Sequence, residues 1–173
     1  MANLPRPATR SMQDVGDAAP RRHPIRRRPP VIAPMGDWNP WRALRERPHI
    51  ELVWSQFPDG ARGAWVPGAA RSIIALDVRL RRRERRAVLT HELVHDERGI
   101  AYTSGTPPLL IAKEERAVDL EAARRLVPLD ELRRFVAQRR ELEPITVTDI
   151  AAAFDVPPDV ARRAVDLLVT TAH

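Results

Sequence analysis

Residues 81–97 have the sequence RRRERRAVLTHELVHDE. Apolar residues such as Val88, Leu89 and Leu93 recur in it at helical spacing among many charges. Gly99 follows, and glycine is the residue that most often ends a helix. We therefore predict an amphipathic helix over residues 81–97 whose arginines form a solvated face.

Three short segments before this helix have the composition of strands: residues 49–54, 62–66 and 72–77. Asp59-Gly60 is a turn signal between the first two, so residues 62–66 are predicted to return alongside residues 49–54. Helical patterns dominate the rest of the chain. We predict an α+β fold with a small antiparallel three-stranded sheet packed on the helices, and we place Trp54 and Trp65 in its core.

The helix contains His91-Glu92-Leu93-Val94-His95, which matches the pattern H-E-x-x-H. Residues four apart lie on one face of a helix, so His91 and His95 can direct both imidazoles at one metal ion. Glu92 lies beside that ion but outside the coordinating pair. The alternative interpretation is two surface histidines next to an ordinary glutamate, and the helical context favours the metal site.

A hydrolytic zinc site takes three protein ligands and leaves a fourth position for water. The next predicted helix, residues 111–126, carries Glu115 and Asp119 one turn apart on one face. Glu115 follows His95 by 20 residues, which is enough chain to turn back across the first helix. We predict Glu115 as the third ligand and Asp119 as the carboxylate that accepts the N–H of a ligating histidine.

Other carboxylates remain open as the third ligand. Glu114 and Glu121 lie on the same predicted helix as Glu115. Asp96 and Glu97 are closer to the histidines in sequence, but their places on the histidine-bearing helix are poor for coordination.

These residues predict the chemistry of a zinc hydrolase. The zinc ion lowers the pKa of a bound water toward about 7, and Glu92 takes the proton and passes it to the leaving amine. A peptide bond is the natural substrate because it supplies both the electrophilic carbonyl and that amine. Tyr102, the single tyrosine, follows the first ligand helix and is a candidate donor to the oxyanion, with a packing or surface role as the alternative.

The motifs resemble the ImmA/IrrE family of zinc metallopeptidases over roughly residues 45–170. That family combines H-E-x-x-H, here residues 91–95, with a later glutamate-containing helix that ends in Leu-Met-Pro. Glu115 takes the position of its first glutamate, Asp119 that of its Asn/Asp, and residues 126–128 that of the closing tripeptide. The positions that depart from the pattern leave every proposed ligand intact; they are Ala117, Glu121 and Arg125.

The resemblance implies a gluzincin-like zincin core, a Zn²⁺ cofactor and a protein substrate. Family members cleave helix-turn-helix repressors, often in phages, mobile elements or stress regulons. Residues 144–173 similarly indicate two helices around a tight turn, as in a helix-turn-helix. They hold two arginines and four aspartates, a net charge of −2, which disfavours DNA contact by these helices.

The 173-residue chain has a net charge of +6 from 29 basic and 23 acidic residues. Residues 1–35 hold seven arginines and two aspartates, a net charge of +5, so the remainder is nearly neutral. We predict a disordered Pro/Arg-rich tail over residues 1–36, a metallopeptidase domain over 37–143 and a helical appendage over 144–173. Nucleic-acid contact through the tail is not favoured over a solvated leader.

The sequence also excludes several classes of protein. It contains no cysteine, which rules out disulfides, cysteine-ligated metals and thiol nucleophiles. No apolar run approaches the roughly 20 residues of a membrane span, so we expect a cytoplasmic protein with no membrane partner. A non-cleaving regulator that binds a repressor or DNA, with a structural or vestigial metal site, remains the alternative to the peptidase.

Overall fold

The computed structural model of the chain describes residues 35–139 and 144–171. The predicted tail lies outside these residues except for Met35 and Gly36, and the predicted boundary after residue 143 lies outside them as well. The α+β class is confirmed. The elements in chain order are α1 (Pro40–Arg45), β1 (Ile50–Ser55), β2 (Gly63–Val66), β3 (Ser72–Asp77), α2 (Arg82–Arg98), α3 (Pro108–Leu126), α4 (Leu129–Arg139), α5 (Val147–Ala153) and α6 (Pro158–Thr170).

The strands form one mixed sheet in the order β1-β3-β2. β1 runs parallel to β3, with Ile50 opposite Ser72, and β2 runs antiparallel to β3. The predicted all-antiparallel sheet is therefore wrong, and β1 and β2 are not neighbours. β3 takes the central position because its side chains Ile74 and Leu76 are fully buried, and a central strand is covered more completely than an edge strand.

The predicted helix over residues 81–97 is present as α2 and ends where Gly99 adopts a left-handed φ of +63°. One face of α2 packs on the sheet, where Leu89 and Leu93 meet Ile74 and Leu76 in a shared apolar core. This contact fixes α2 over the sheet and so determines where the H-E-x-x-H motif lies.

The arginines of α2 do not all lie on a solvated face, and that prediction is wrong for Arg86. Its side chain is 8% exposed and donates to the backbone carbonyls of Phe154 and Asp155 at 2.9 and 3.3 Å. Arg82 and Arg83 pair with the Asp155 carboxylate at 2.7 and 3.0 Å. The sequence could not indicate this, since the partners lie about 70 residues away in the chain. These contacts attach α2 to the turn between α5 and α6.

The C-terminal helices share an apolar core with α3 and α4. α5 and α6 flank a tight turn, which confirms the predicted pair of helices, and Asp155 in this turn has a φ of +53°. None of the described helices combines the length and the apolar character needed to cross a membrane. The fully buried residues of this core are Leu126, Val127, Leu132, Phe154, Val156, Ala161 and Ala164.

Candidate metal centre

Three predicted ligands meet between α2 and α3. Nε2 of His91 lies 3.1 Å from Nε2 of His95 and 3.3 Å from Oε2 of Glu115. Nε2 of His95 lies 3.3 Å from Oε1 of Glu115. The two histidines are one turn apart on α2, and Glu115 comes from the first half of α3.

The spacing and chemistry of this group fit a zinc ion. Tetrahedral ligands about 2.0–2.1 Å from zinc lie about 3.3 Å from one another. Here the two imidazole nitrogens are 3.1 Å apart, and each lies 3.3 Å from a different oxygen of Glu115. With one donor atom taken from each residue, the three atoms lie within 4.8 Å of one another. Two imidazole nitrogens and one carboxylate oxygen also form the donor set of a hydrolytic zinc site with an open fourth position. The three residues could therefore hold the ion, and their role as ligands stays a prediction.

The packing of α2 against α3 brings Glu115 to the histidines. Val94 on α2 and Val118 on α3 are almost fully buried against each other and Ala122. Val94 directly precedes His95, and Val118 lies three residues after Glu115. The small apolar contact therefore sets the distance between the two ligand-bearing helices.

Asp119 lies beside His91, His95 and Glu115, which we call the trio, as the sequence predicts. Its Oδ1 is 3.1 Å from Nδ1 of His91, and its Oδ2 is 2.8 Å from Nη2 of Arg163. Burial raises the pKa of Asp119, but the hydrogen bond with His91 and the charge of Arg163 outweigh it and lower that pKa. Burial likewise lowers the pKa of His91, and the bond to Asp119 with the nearby carboxylates raises it overall.

Glu92 is 6% exposed and stands next to the trio without belonging to it. Burial raises the pKa of Glu92 to about 7, and the charge of Glu115 adds to this rise. The charge of His91 and the backbone N–H of Trp65 act in the opposite direction. A carboxyl group with a pKa near neutrality is suited to accept and return a proton.

Two cavities flank Glu92. One, of about 330 Å³, is bounded by α2, α3, α6 and the chain entering β2. The other, of about 410 Å³, lies between β2, α2 and the chain that follows Gly99, and all three predicted ligands line it. Gly63, His91 and Glu92 line both cavities. The centre is therefore open to a molecule that extends on either side of Glu92.

Tyr102 lines the second cavity and donates its hydroxyl to Oε1 of Glu115 at 2.9 Å. Burial, followed by this hydrogen bond, raises the pKa of Tyr102. The contact orients Glu115 toward the histidines. The predicted role as oxyanion donor stays a prediction, and it would require the hydroxyl to turn from Glu115 toward the substrate.

The alternative ligands point elsewhere, because each is engaged by a cation or a ring nitrogen outside the trio. Glu114 pairs with Arg98, and Glu121 pairs with Arg125 at 2.9 Å. Asp96 accepts from Trp65 Nε1 at 3.0 Å, and Glu97 pairs with Arg125 at 2.6 Å. Among the described residues, only Glu115 joins the histidines in a group of possible ligands.

Gly63 contributes to the centre in a way that we did not predict. A Cβ atom at this position would lie 2.5 Å from Cγ1 of Val88 and 2.8 Å from Oε1 of Glu92. Only glycine therefore lets β2 approach α2 this closely. The signal in the sequence was a glycine inside a predicted strand, which often marks a close backbone contact.

The core prediction is wrong for Trp54, which is 46% exposed and stacks with Trp41 and Arg85 at the surface of β1. Trp65 is only partly in the core where we predicted it. Its ring packs against the sheet cluster and also stacks on the His95 ring, with 6.3 Å between centroids and 6° between planes. Its Nε1 donates to Oδ1 of Asp96 at 3.0 Å. Trp65 thus supports one side of His95, and nothing in the alternation of the strand indicates this.

The chain was also compared with known proteins. No protein-family model, curated protein or solved structure matches it.

Proposed function

We propose that the chain is a zinc-dependent metalloendopeptidase of the ImmA/IrrE kind. The observation that supports this most strongly is the convergence of three donor atoms, from His91, His95 and Glu115, beside the buried carboxyl of Glu92. A structural metal site needs no such carboxyl, because a closed site holds its ion with four protein ligands.

The residues have distinct tasks in the proposed reaction. His91, His95 and Glu115 hold Zn²⁺, and Asp119 and Tyr102 orient two of these ligands. Bound zinc supplies Lewis-acid polarisation of a carbonyl and lowers the pKa of water. Glu92 accepts the proton of the water as the carbon–oxygen bond forms. It then donates that proton to the amide nitrogen as the carbon–nitrogen bond breaks.

The surroundings of Glu92 favour an extended peptide that is cut internally. The two cavities provide room for side chains on both sides of a scissile bond. β2 lies at the edge of the sheet, and within the described residues it pairs only with β3. A peptide in strand conformation can add to such an edge through main-chain hydrogen bonds.

The substrate class follows from the resemblance to the ImmA/IrrE family and from nothing else in the molecule. On that basis the substrate is a helix-turn-helix transcriptional repressor that undergoes limited cleavage in the cytoplasm. The repressor encoded nearest to the gene for this chain is the first to examine.

The experiment compares wild type, Glu92→Gln and Glu51→Gln on that repressor and on a library of quenched fluorescent peptides, with zinc content measured in parallel. Glu51 is an exposed glutamate on β1 and serves as the matched control. Glu92→Gln should keep its zinc and lose cleavage by about 100-fold or more, because it cannot transfer the proton. Equal cleavage by wild type and Glu92→Gln would refute the mechanism. Zinc and repressor binding without cleavage by wild type would favour the non-cleaving regulator.

A further inference from the structure

Arg163 of α6 reaches the metal centre from the C-terminal end of the chain. Its Nη2 lies 2.8 Å from Oδ2 of Asp119, and Oδ1 of the same carboxylate lies 3.1 Å from Nδ1 of His91. Each oxygen of Asp119 thus has its own partner. An ion pair between the guanidinium and the carboxylate, followed by a hydrogen bond between the carboxylate and the imidazole, connects Arg163 to a proposed metal ligand.

The helical period of α6 places Arg163 at the edge of its buried face, beside Asp119. Val160, Ala164 and Leu167 are buried on the face that packs into the core with α3. Arg163 lies between them in sequence, at the border of this face, and its side chain is 39% exposed. Asp159, one turn earlier, is 3.4 Å from Nη1 and contacts the second arm of the guanidinium.

α6 is also held in place by contacts that do not involve Asp119. The turn before α6 is fixed by Arg86, which donates to the carbonyl of Phe154, and by the pairs of Asp155 with Arg82 and Arg83. Because these contacts attach α6 to α2, they set the position of Arg163 relative to the helix that carries His91. The guanidinium is therefore positioned by the fold before it meets Asp119.

We propose that Arg163 is a positioning residue of the metal centre, acting on His91 through Asp119, and that α6 completes the site. This inference depends on the proposed function because it takes His91 as a metal ligand. A carboxylate bonded through one oxygen can rotate, whereas one held through both oxygens fixes the ring that donates to it. The C-terminal helices are then part of the catalytic unit and not a separable appendage.

The test compares Arg163→Met with Arg162→Met. Arg162 is the preceding residue of α6, and its side chain is exposed. Zn²⁺ affinity is measured by competition with a chromophoric chelator, and the visible spectrum of the Co²⁺-substituted protein reports ligand geometry. Arg163→Met should weaken Zn²⁺ binding by about 3- to 10-fold and shift the Co²⁺ bands. Arg163→Lys should restore part of both, and Arg162→Met should match wild type.

A double-mutant cycle tests the route of the effect. In an Asp119→Asn background, Arg163→Met should change Zn²⁺ affinity no further. Circular dichroism of the metal-free proteins checks folding, which a partly exposed ion pair affects little. If Arg163→Met does not fold, Arg163→Lys replaces it as the test variant, because lysine keeps the positive charge and lacks the planar guanidinium group.

The outcomes separate the two proposals. If Arg163→Met has the Zn²⁺ affinity and the Co²⁺ spectrum of wild type, Arg163 does not position the metal centre, and the zinc site itself is unaffected. If Arg163→Met does not fold, the same result in Arg163→Lys leads to the same conclusion. An equal loss in the Asp119→Asn background would show that Arg163 does not act through Asp119. A wild-type protein that binds no Zn²⁺ would overturn the proposed function itself.

Discussion

Nδ1 of His91 lies 3.1 Å from Oδ1 of Asp119, and this contact joins α2 to α3 beside the three predicted ligands. When Nδ1–H donates to the carboxylate, the lone pair of Nε2 faces His95 and Glu115. Asp119 therefore selects the tautomer in which His91 can bind a metal. The same bond fixes the orientation of the ring before any ion arrives.

Replacing Asp119 with asparagine should weaken Zn²⁺ binding by about 10- to 100-fold, the usual cost of losing the partner of a metal-ligating histidine. The amide loses the negative charge and can present an N–H instead of an acceptor to His91. Competition with a chromophoric chelator measures the change. Asp166→Asn removes the same charge from an exposed site on α6 and should leave the affinity unchanged. Equal affinities in the two variants would contradict the role of Asp119.

Gly63→Ala should reduce cleavage by about 10- to 100-fold, because small displacements of a reacting group have effects of this size. The added Cβ would lie 2.8 Å from Oε1 of Glu92 and would force β2 or the carboxyl to move. Zinc content should not change, since the atoms nearest to the added Cβ belong to Val88, Glu92 and Ala75 and to none of the three predicted ligands. The rate of peptide cleavage per bound zinc is the measurement.

The control for Gly63→Ala is Gly105→Ala, where the nearest atom to a new Cβ is 4.0 Å away. This variant should retain the wild-type rate. A wild-type rate in Gly63→Ala would show that the close approach of β2 to α2 is not needed for the reaction.

Arg86→Met should lower the free energy of unfolding by about 2 kcal/mol or more, because it leaves buried carbonyl oxygens without a donor. Arg86 donates to the carbonyls of Phe154 and Trp38 at 2.9 and 3.0 Å. Urea unfolding followed by circular dichroism measures the change. Arg124→Met, at an exposed position on α3, should change stability little. Similar values for the two variants would place Arg86 in solvent, as the sequence alone had indicated.

Asp77 should make the fold sensitive to acid. Its carboxylate accepts from the Arg79 side chain, from the backbone N–H of Arg79 and from that of Phe57. The Arg79 side chain contributes most, and together these donors hold the pKa of Asp77 well below its ordinary value of 3.8. Because the folded state has the lower pKa, the stabilisation is complete above that ordinary value and is lost as the pH falls below it.

Urea midpoints of the metal-free protein at pH 7 and at about pH 3 test this expectation for Asp77. Wild type should lose more stability between the two pH values than Asp77→Asn, which has no carboxylate to protonate. An equal loss in both proteins would contradict the assignment.

Local sequence signals could predict α2, its end at Gly99 and the shared face of His91 and His95, because helical spacing determines which residues of one helix share a face. For Glu115 the length of the intervening chain allowed the approach, and the packing of α3 on α2 brings it to the histidines. Local signals could not predict the order of the strands. The turn at Asp59-Gly60 reverses the chain in both possible sheets: one in which β1 and β2 pair directly, and one in which β3 lies between them. The strand order follows from the burial of β3, and this burial exists only once the sheet has packed on the helices.

The contacts of Arg86 and Arg163 were beyond sequence reasoning for a related reason. Arg86 occurs in a polar stretch that looks solvated, Arg163 lies at the border of the buried face of α6, and the partners that matter lie on other elements. Asp119 could be predicted because it shares a helix face with Glu115. The cation that holds it comes from α6, and only the packing of α6 on α3 brings the two together.

Zinc content per chain tests the central claim most directly. Wild type should bind about one Zn²⁺ per chain when measured by atomic emission after dialysis, as a three-ligand site requires. His91→Ala, His95→Ala and Glu115→Ala should each lose the ion, whereas Glu114→Ala, one residue from the third ligand, should keep it. Full zinc occupancy in Glu115→Ala would contradict the account.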